Sequence, residues 1–141
     1  MSILNATIGQ ELTPLVKVPI EQELLNRYAV ASGDHNPIHL DNAAAQRVGL
    51  TGIIAHGMLS MAFLGQFVNQ QITHAPGARV GNLKVRYVGM VRPGDTLTCL
   101  GTVKARAEVA HEVTLTFECW AQNQRGEQVT LGEAVVHVPQ G

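Results

Sequence analysis

TGIIAHGMLSMAFLGQFVNQQI, residues 51–72, holds the most apolar stretch of the chain. From His56 or Gly57 to Ile72 it carries Met58, Leu59, Met61, Ala62, Phe63, Leu64, Phe67 and Val68. At helical spacing these residues leave the first turns apolar almost all round, the mark of a helix enclosed by protein rather than lying on a surface. Crossing a membrane takes about 20 apolar residues. The run from Ile53 to Val68 is shorter and is broken by His56, Ser60 and Gln66. Pro76-Gly77 marks a stop a few residues beyond Ile72. The stretch predicts a buried central helix, and the rest of the chain must supply what buries it.

C-terminal to the helix the pattern changes to that of strands. ARVGNLKVRYVGMV leads into the turn Arg92-Pro93-Gly94-Asp95, with Pro and Gly in favourable order, and TLTCLGTVKARAEV comes next. HEVTLTFECW alternates cleanly, with Val113, Leu115, Phe117 and Cys119 on one face and Glu112, Thr114, Thr116 and Glu118 on the other. That is a half-buried antiparallel strand. The last strand puts Val129 and Leu131 in one phase and Ala134, Val136 and Val138 in the other, which predicts a bulge at Gly132. A long helix followed by long antiparallel strands gives an α+β class, with a curved sheet wrapped round the helix.

N-terminal to the helix, LVKVPI reads as a short strand and residues 20–31 as a helix with Leu24, Tyr28 and Ala31 along one stripe. Ser32-Gly33 ends it. SGDHNPIHLD, residues 32–41, then crowds Asp34, His35, Asn36, Pro37 and His39 together. Pro37 lacks an N–H and pushes Asn36 toward extended geometry, so the segment is a stiffened bend rather than helix. Such a bend allows Asp34 and His39 to converge on one point. Asp41 caps a short helix closed by Gly49.

The chain has 141 residues, 45% of them hydrophobic and 15% charged, which suits one domain with a real core. A net charge of −1 gives no basic surplus for nucleic acid or a membrane surface. Cys99 and Cys119 lack the spacing of a zinc or redox pair and read as buried free thiols. His74, His111 and His137 have no metal-site spacing either, and His35 reads as exposed. The N-terminus shows no signal-peptide pattern, so a cytoplasmic protein is expected.

The run from Tyr28 to Asp41, with Gly33, Asp34, Asn36, Pro37, His39 and Asp41 in place, resembles the signature of the MaoC-like dehydratases, or (R)-specific enoyl-CoA hydratases. AHGM, residues 55–58, and the turn from Arg92 to Asp95 resemble the same family. The chain is also similar to one subunit type of the mycobacterial (3R)-hydroxyacyl-ACP dehydratases. The resemblance spans nearly all of residues 1–141 and implies one hot-dog domain. It implies reversible hydration of trans-2-enoyl thioesters, with Asp34 and His39 catalytic and no metal or cofactor. The substrate carrier it implies is coenzyme A, with acyl-carrier protein as the alternative. The implied assembly is a homodimer, with a heterodimer with a related hot-dog subunit as the alternative. Gly57, at the start of the central helix, has an N–H free of a helical partner and serves as the expected oxyanion donor. Its lack of a side chain would let a thioester carbonyl come close. Asn36 and His56 are expected to support the site. One departure is Gly65, where some of these hydratases carry a serine. A hot-dog thioesterase fits less well, because residues 53–82 contain no Asp or Glu to act as base or nucleophile on the helix. A non-catalytic subunit would have no reason to keep both Asp34 and His39.

Overall fold

The computed structural model describes residues 2–141. Its elements are β1 (Leu15–Val16), α1 (Gln22–Ser32), α2 (Asn42–Arg47), α3 (Gly57–Ile72), β2 (Arg79–Tyr87), β3 (Thr98–Val109), β4 (Glu112–Gln122) and β5 (Gln128–Pro139). The strands form one antiparallel sheet in the order β1-β3-β4-β5-β2, curled about α3 in the hot-dog arrangement. Register shifts at Val80/Asn82 and Val103/Ala105 mark bulges, which bend strands and increase their twist.

The core lies between α3 and the inner face of the sheet. Leu64, Phe67, Val68 and Ile72 meet Val103, Val113, Leu115, Phe117, Cys119, Ala134, Val136 and Val138 there. The four β4 residues assigned inward by alternation are all buried. Contact leaves little or no room for a side chain at two sheet positions. A Cβ on Gly101 would lie 2.8 Å from the Glu118 carbonyl and 3.1 Å from Phe67, and one on Gly132 would lie 3.0 Å from Cys119 Sγ. Both cysteines are free and buried, and burial pushes the Cys99 thiol up to about 12 and the Cys119 thiol up to about 11.

Three expectations need correction. The register runs unbroken through Gly132, and the β5 irregularity falls instead at Val129, which lies between the paired residues Gln128 and Thr130. Thr130 rather than Leu131 therefore faces inward, where its hydroxyl meets Ser60 Oγ at 2.7 Å. On α1 the buried residues are Leu25 and Ala29. Leu24 and Tyr28 are half-buried, and Ala31 is exposed. Finally, α3 is not enclosed all round within one chain. Met58 is 61% exposed, and Ala62, Gln66 and Asn69 continue a bare stripe below it. Among the described residues, no helix is long and apolar enough to cross a membrane.

Candidate active site

Short polar side chains fold the link between α1 and α2. Gly33 closes α1 in the left-handed region, at φ 79°. Ser32 Oγ then accepts from the Asp34 N–H, Asp34 Oδ1 from the Asn36 N–H, and Asn36 Oδ1 from the Ile38 N–H, at 3.1, 3.2 and 3.2 Å. Each is a side-chain bond to the backbone two residues on, which offers the chain a turn in place of a helix. Pro37 opens a single 3₁₀ turn, Pro37–His39, for which its fixed φ is suited. Asp41 Oδ1 caps α2 through the Ala43 N–H at 3.0 Å.

The segment leading into α3 clamps this bend. The Ile54 N–H donates to the Ile38 carbonyl, the Ile53 N–H to Asn42 Oδ1, and the Ala55 N–H to the Val91 carbonyl. His39 is 7% exposed, and its Nδ1 lies 2.8 Å from the Ile54 carbonyl. A carbonyl only accepts, so Nδ1 carries the proton and a neutral ring presents a bare Nε2. That Nε2 faces Asp34 Oδ2 at 3.8 Å, and the Asp34 side chain is half exposed. The gap exceeds a direct hydrogen bond, yet one water or substrate hydroxyl fits against both atoms. The bend has brought the expected pair together.

His56 and Gly57 form the head of α3. His56, 3% exposed, stacks on the His39 ring with centroids 3.9 Å apart and planes at 27°. Its Nε2 donates to the Asp34 carbonyl at 3.0 Å. Gly57 is the first residue of the helix, so its N–H has no carbonyl one turn back to bond. The space over its α-carbon is taken by a residue that the sequence pattern did not single out. A Cβ at Gly57 would rest against the Tyr87 ring at 3.4 Å, an ordinary contact distance, so the phenol ring lies over the head of the helix. Partial desolvation, and then the neighbouring Tyr28, push the half-exposed Tyr87 hydroxyl above the usual phenol range. Tyr28 in turn sets its ring edge-on to His56 at 4.8 Å. Read as part of a core stripe, Tyr28 proves to be half a core residue and half a wall of the site.

Asn36 supports the loop, as expected, and Asp41 is a cap. His35 is exposed, and Gly65 stands on α3 with 3.9 Å of room toward Leu83. Asp34, His39 and His56 offer metal-ligating atoms within 4.8 Å of one another. His39 Nδ1 and His56 Nε2 are committed to carbonyls, which leaves His39 Nε2, the Asp34 carboxylate and the unpartnered His56 Nδ1 of that set. A groove of about 540 Å³ runs along Leu24, Arg27, Tyr28, Val30 and Ala31.

With this geometry in view, comparison with known families matches residues 4–124 to the MaoC like domain. The chain belongs to that family. Among relatives, this MaoC-like chain is 35% identical to the (R)-specific enoyl-CoA hydratase of Rhodospirillum rubrum over 112 residues, 79% of this chain and 75% of that one. It is 33% identical over 109 residues to a fatty acid synthase beta subunit, TOXC, of Cochliobolus carbonum, matching 77% of this chain but only 5% of that subunit. Among solved structures it superposes on an (R)-hydratase from A. caviae involved in PHA biosynthesis with a TM-score of 0.79 at 30% identity. That alignment covers 96% of this chain and 98% of the other.

Proposed function

We propose that this MaoC-like chain is a hydro-lyase that interconverts trans-2-enoyl thioesters and (R)-3-hydroxyacyl thioesters, with Asp34 and His39 as catalytic residues. One observation carries the reading: a carboxylate and a bare imidazole nitrogen face each other 3.8 Å apart beside a helix N-terminus. Hydration puts a hydroxyl on the β-carbon and a proton on the α-carbon while negative charge gathers on the thioester oxygen. Asp34 and His39 hold one water between them. A proton leaves that water for the pair as its oxygen bonds the β-carbon, and a proton leaves the pair for the α-carbon. The pair ends as it began, and both transfers take place on one face of the substrate. Each such acid–base role is worth about 10²–10⁴ in rate. The Gly57 N–H, aided by the positive end of the α3 dipole, is the oxyanion donor. The chemistry uses no cofactor.

Coenzyme A is the preferred carrier, in keeping with the hydratase relative. The match to a fatty acid synthase subunit favours acyl-carrier protein as the second reading. The decisive experiment monitors crotonyl-CoA at the thioester's ultraviolet band, with chiral analysis of the product. Wild type is expected to give the (R) product, and Asp34→Asn and His39→Gln to fold and lose at least about 10²-fold in kcat. Full activity in either variant overturns the assignment. Turnover of carrier-protein substrates alone selects the second reading, and free thiol release selects a thioesterase.

A further inference from the structure

His56 touches both members of the pair at once, through two different parts of one ring. Its Nε2–H holds the Asp34 backbone carbonyl at 3.0 Å, and its face lies on His39 at 3.9 Å. Because Nε2 donates, the neutral ring leaves Nδ1 as a lone-pair acceptor. That Nδ1 is the one buried side-chain nitrogen or oxygen without a hydrogen-bond partner among the described residues. Buried acceptors are normally satisfied, so a bare one calls for an explanation. Packing alone does not provide it, since an aromatic hydrocarbon ring would fill the same space without an orphaned nitrogen.

We propose, resting on the hydratase reading, that His56 is the positioning residue that fixes the Asp34–His39 separation, and that its Nε2–H is retained for this at the expense of the unsatisfied Nδ1. The two contacts act on different partners. The hydrogen bond sets where the Asp34 backbone lies, on a loop that is otherwise solvent-exposed and held by local turns. The stack closes one face of the His39 ring, whose in-plane tilt is already fixed by the Ile54 carbonyl. Tyr28, edge-on at 4.8 Å, backs His56 from α1, so the ring is held between the helix that precedes the pair and the helix beyond it. His56 handles no proton and touches no substrate in this arrangement. Its effect is to keep two catalytic groups at one distance.

The test separates its two contacts. His56→Phe keeps the ring and removes both the donor and the orphaned acceptor. His56→Gln keeps an amide N–H at similar reach and removes the ring. On the enoyl thioester that wild type turns over, His56→Phe is expected to lower kcat about 10²-fold, the scale of a misplacement near 1 Å, with KM little changed and the melting temperature equal or higher. His56→Gln is expected to recover about tenfold of that loss, by restoring a donor of the same reach. A merely structural histidine would show the opposite: His56→Phe destabilised with kcat intact, an outcome that overturns the proposal. A readout independent of turnover guards against an incorrect substrate assignment. Long-range ¹H–¹⁵N correlation in wild type should show His39 protonated at Nδ1 and His56 at Nε2. In His56→Phe, nuclear Overhauser contacts between the residue-34 loop and the His39 ring should weaken. Unchanged contacts there overturn the proposal even if no substrate is found, whereas an inactive wild type with weakened contacts overturns only the hydratase reading.

Discussion

At the scale of single residues, the chain places charged and polar side chains where they order backbone. Asp95, nearly buried at 7% exposure, shows this outside the site. Its Oδ2 accepts from the Arg92 N–H at 3.0 Å and its Oδ1 from the Gln124 amide at 2.9 Å, with Arg125 3.6 Å away. Its backbone carbonyl accepts from the Ile20 N–H at 2.7 Å, so this turn ties the strands to the entry of α1. Burial alone would raise the Asp95 carboxyl. The Arg92 N–H, the Gln124 amide and the positive charges of Arg125 and Arg92 outweigh it and hold the carboxyl below the usual range. A depressed carboxyl contributes stability that is fully present above its unfolded value of about 3.9 and is lost as pH falls through the lower folded value. In Asp95→Asn the amide has one oxygen for two donors, so one N–H faces another. Denaturant titration at pH 7 should find the variant about 1–3 kcal/mol less stable, with the gap to wild type closing below about pH 4. A gap that widens in acid would contradict this account.

At the scale of elements, how much was legible depended on whether burial tracked apolarity. The β4 alternation could be read directly because β4 buries its apolar residues on one regular face, and the limits of α3 because its apolar run is bounded by Gly57 and Ile72. The α1 stripe slipped because Tyr28, apolar in body, turns its edge to His56 at the site. The β5 phase was misread because Thr130, counted as polar, is buried with its hydroxyl satisfied by Ser60, while Val129 sits at the irregularity. Asp34 and His39 stood out through the family signature that the Tyr28–Asp41 run and AHGM resemble, and not through the loop's composition alone. Tyr87 did not, since a tyrosine at a strand end gives no local signal of what it covers. The close fit of α3 on the sheet also escapes a pattern reading, and it yields a paired prediction. Gly101→Ala puts a Cβ within 3.1 Å of Phe67 and 2.8 Å of a fixed carbonyl, so overpacking should cost about 1–3 kcal/mol. Gly65→Ala meets only Leu83 at 3.9 Å and should gain about 0.5–1 kcal/mol from helix propensity. Melting temperatures should move in opposite directions, by a few degrees each. A shift of the same sign in both would show that the helix–sheet distance is not what selects glycine at 101.

At the scale of the molecule, β2 ends the sheet, with no strand beyond it among the described residues. The strand β2 pairs only with β5, and its residues from Arg79 to Asn82 are all exposed. Val80, Tyr87, Val88 and Met90 along this edge and its continuation are large apolar residues open to solvent, and Met58 is open on α3 beside Gly57. An uncovered strand edge presents unpaired backbone groups, a ready template for another chain. A two-fold axis is the simplest way to satisfy it with the same surface twice. Such a partner would also cover the bare stripe of α3 near the Asp34–His39 pair, which one chain leaves open. We therefore expect wild type to sediment at twice the chain mass. Val80→Lys places a charged, hydrated side chain on the edge and should shift the species toward monomer. Activity should fall with the dimer fraction, and raising protein concentration should restore both together. If wild type is instead monomeric and inactive until a related hot-dog subunit is added, the same edge is heterodimeric. If the Val80→Lys monomer retains full activity, one chain holds the whole site and the α3 stripe needs no cover for turnover.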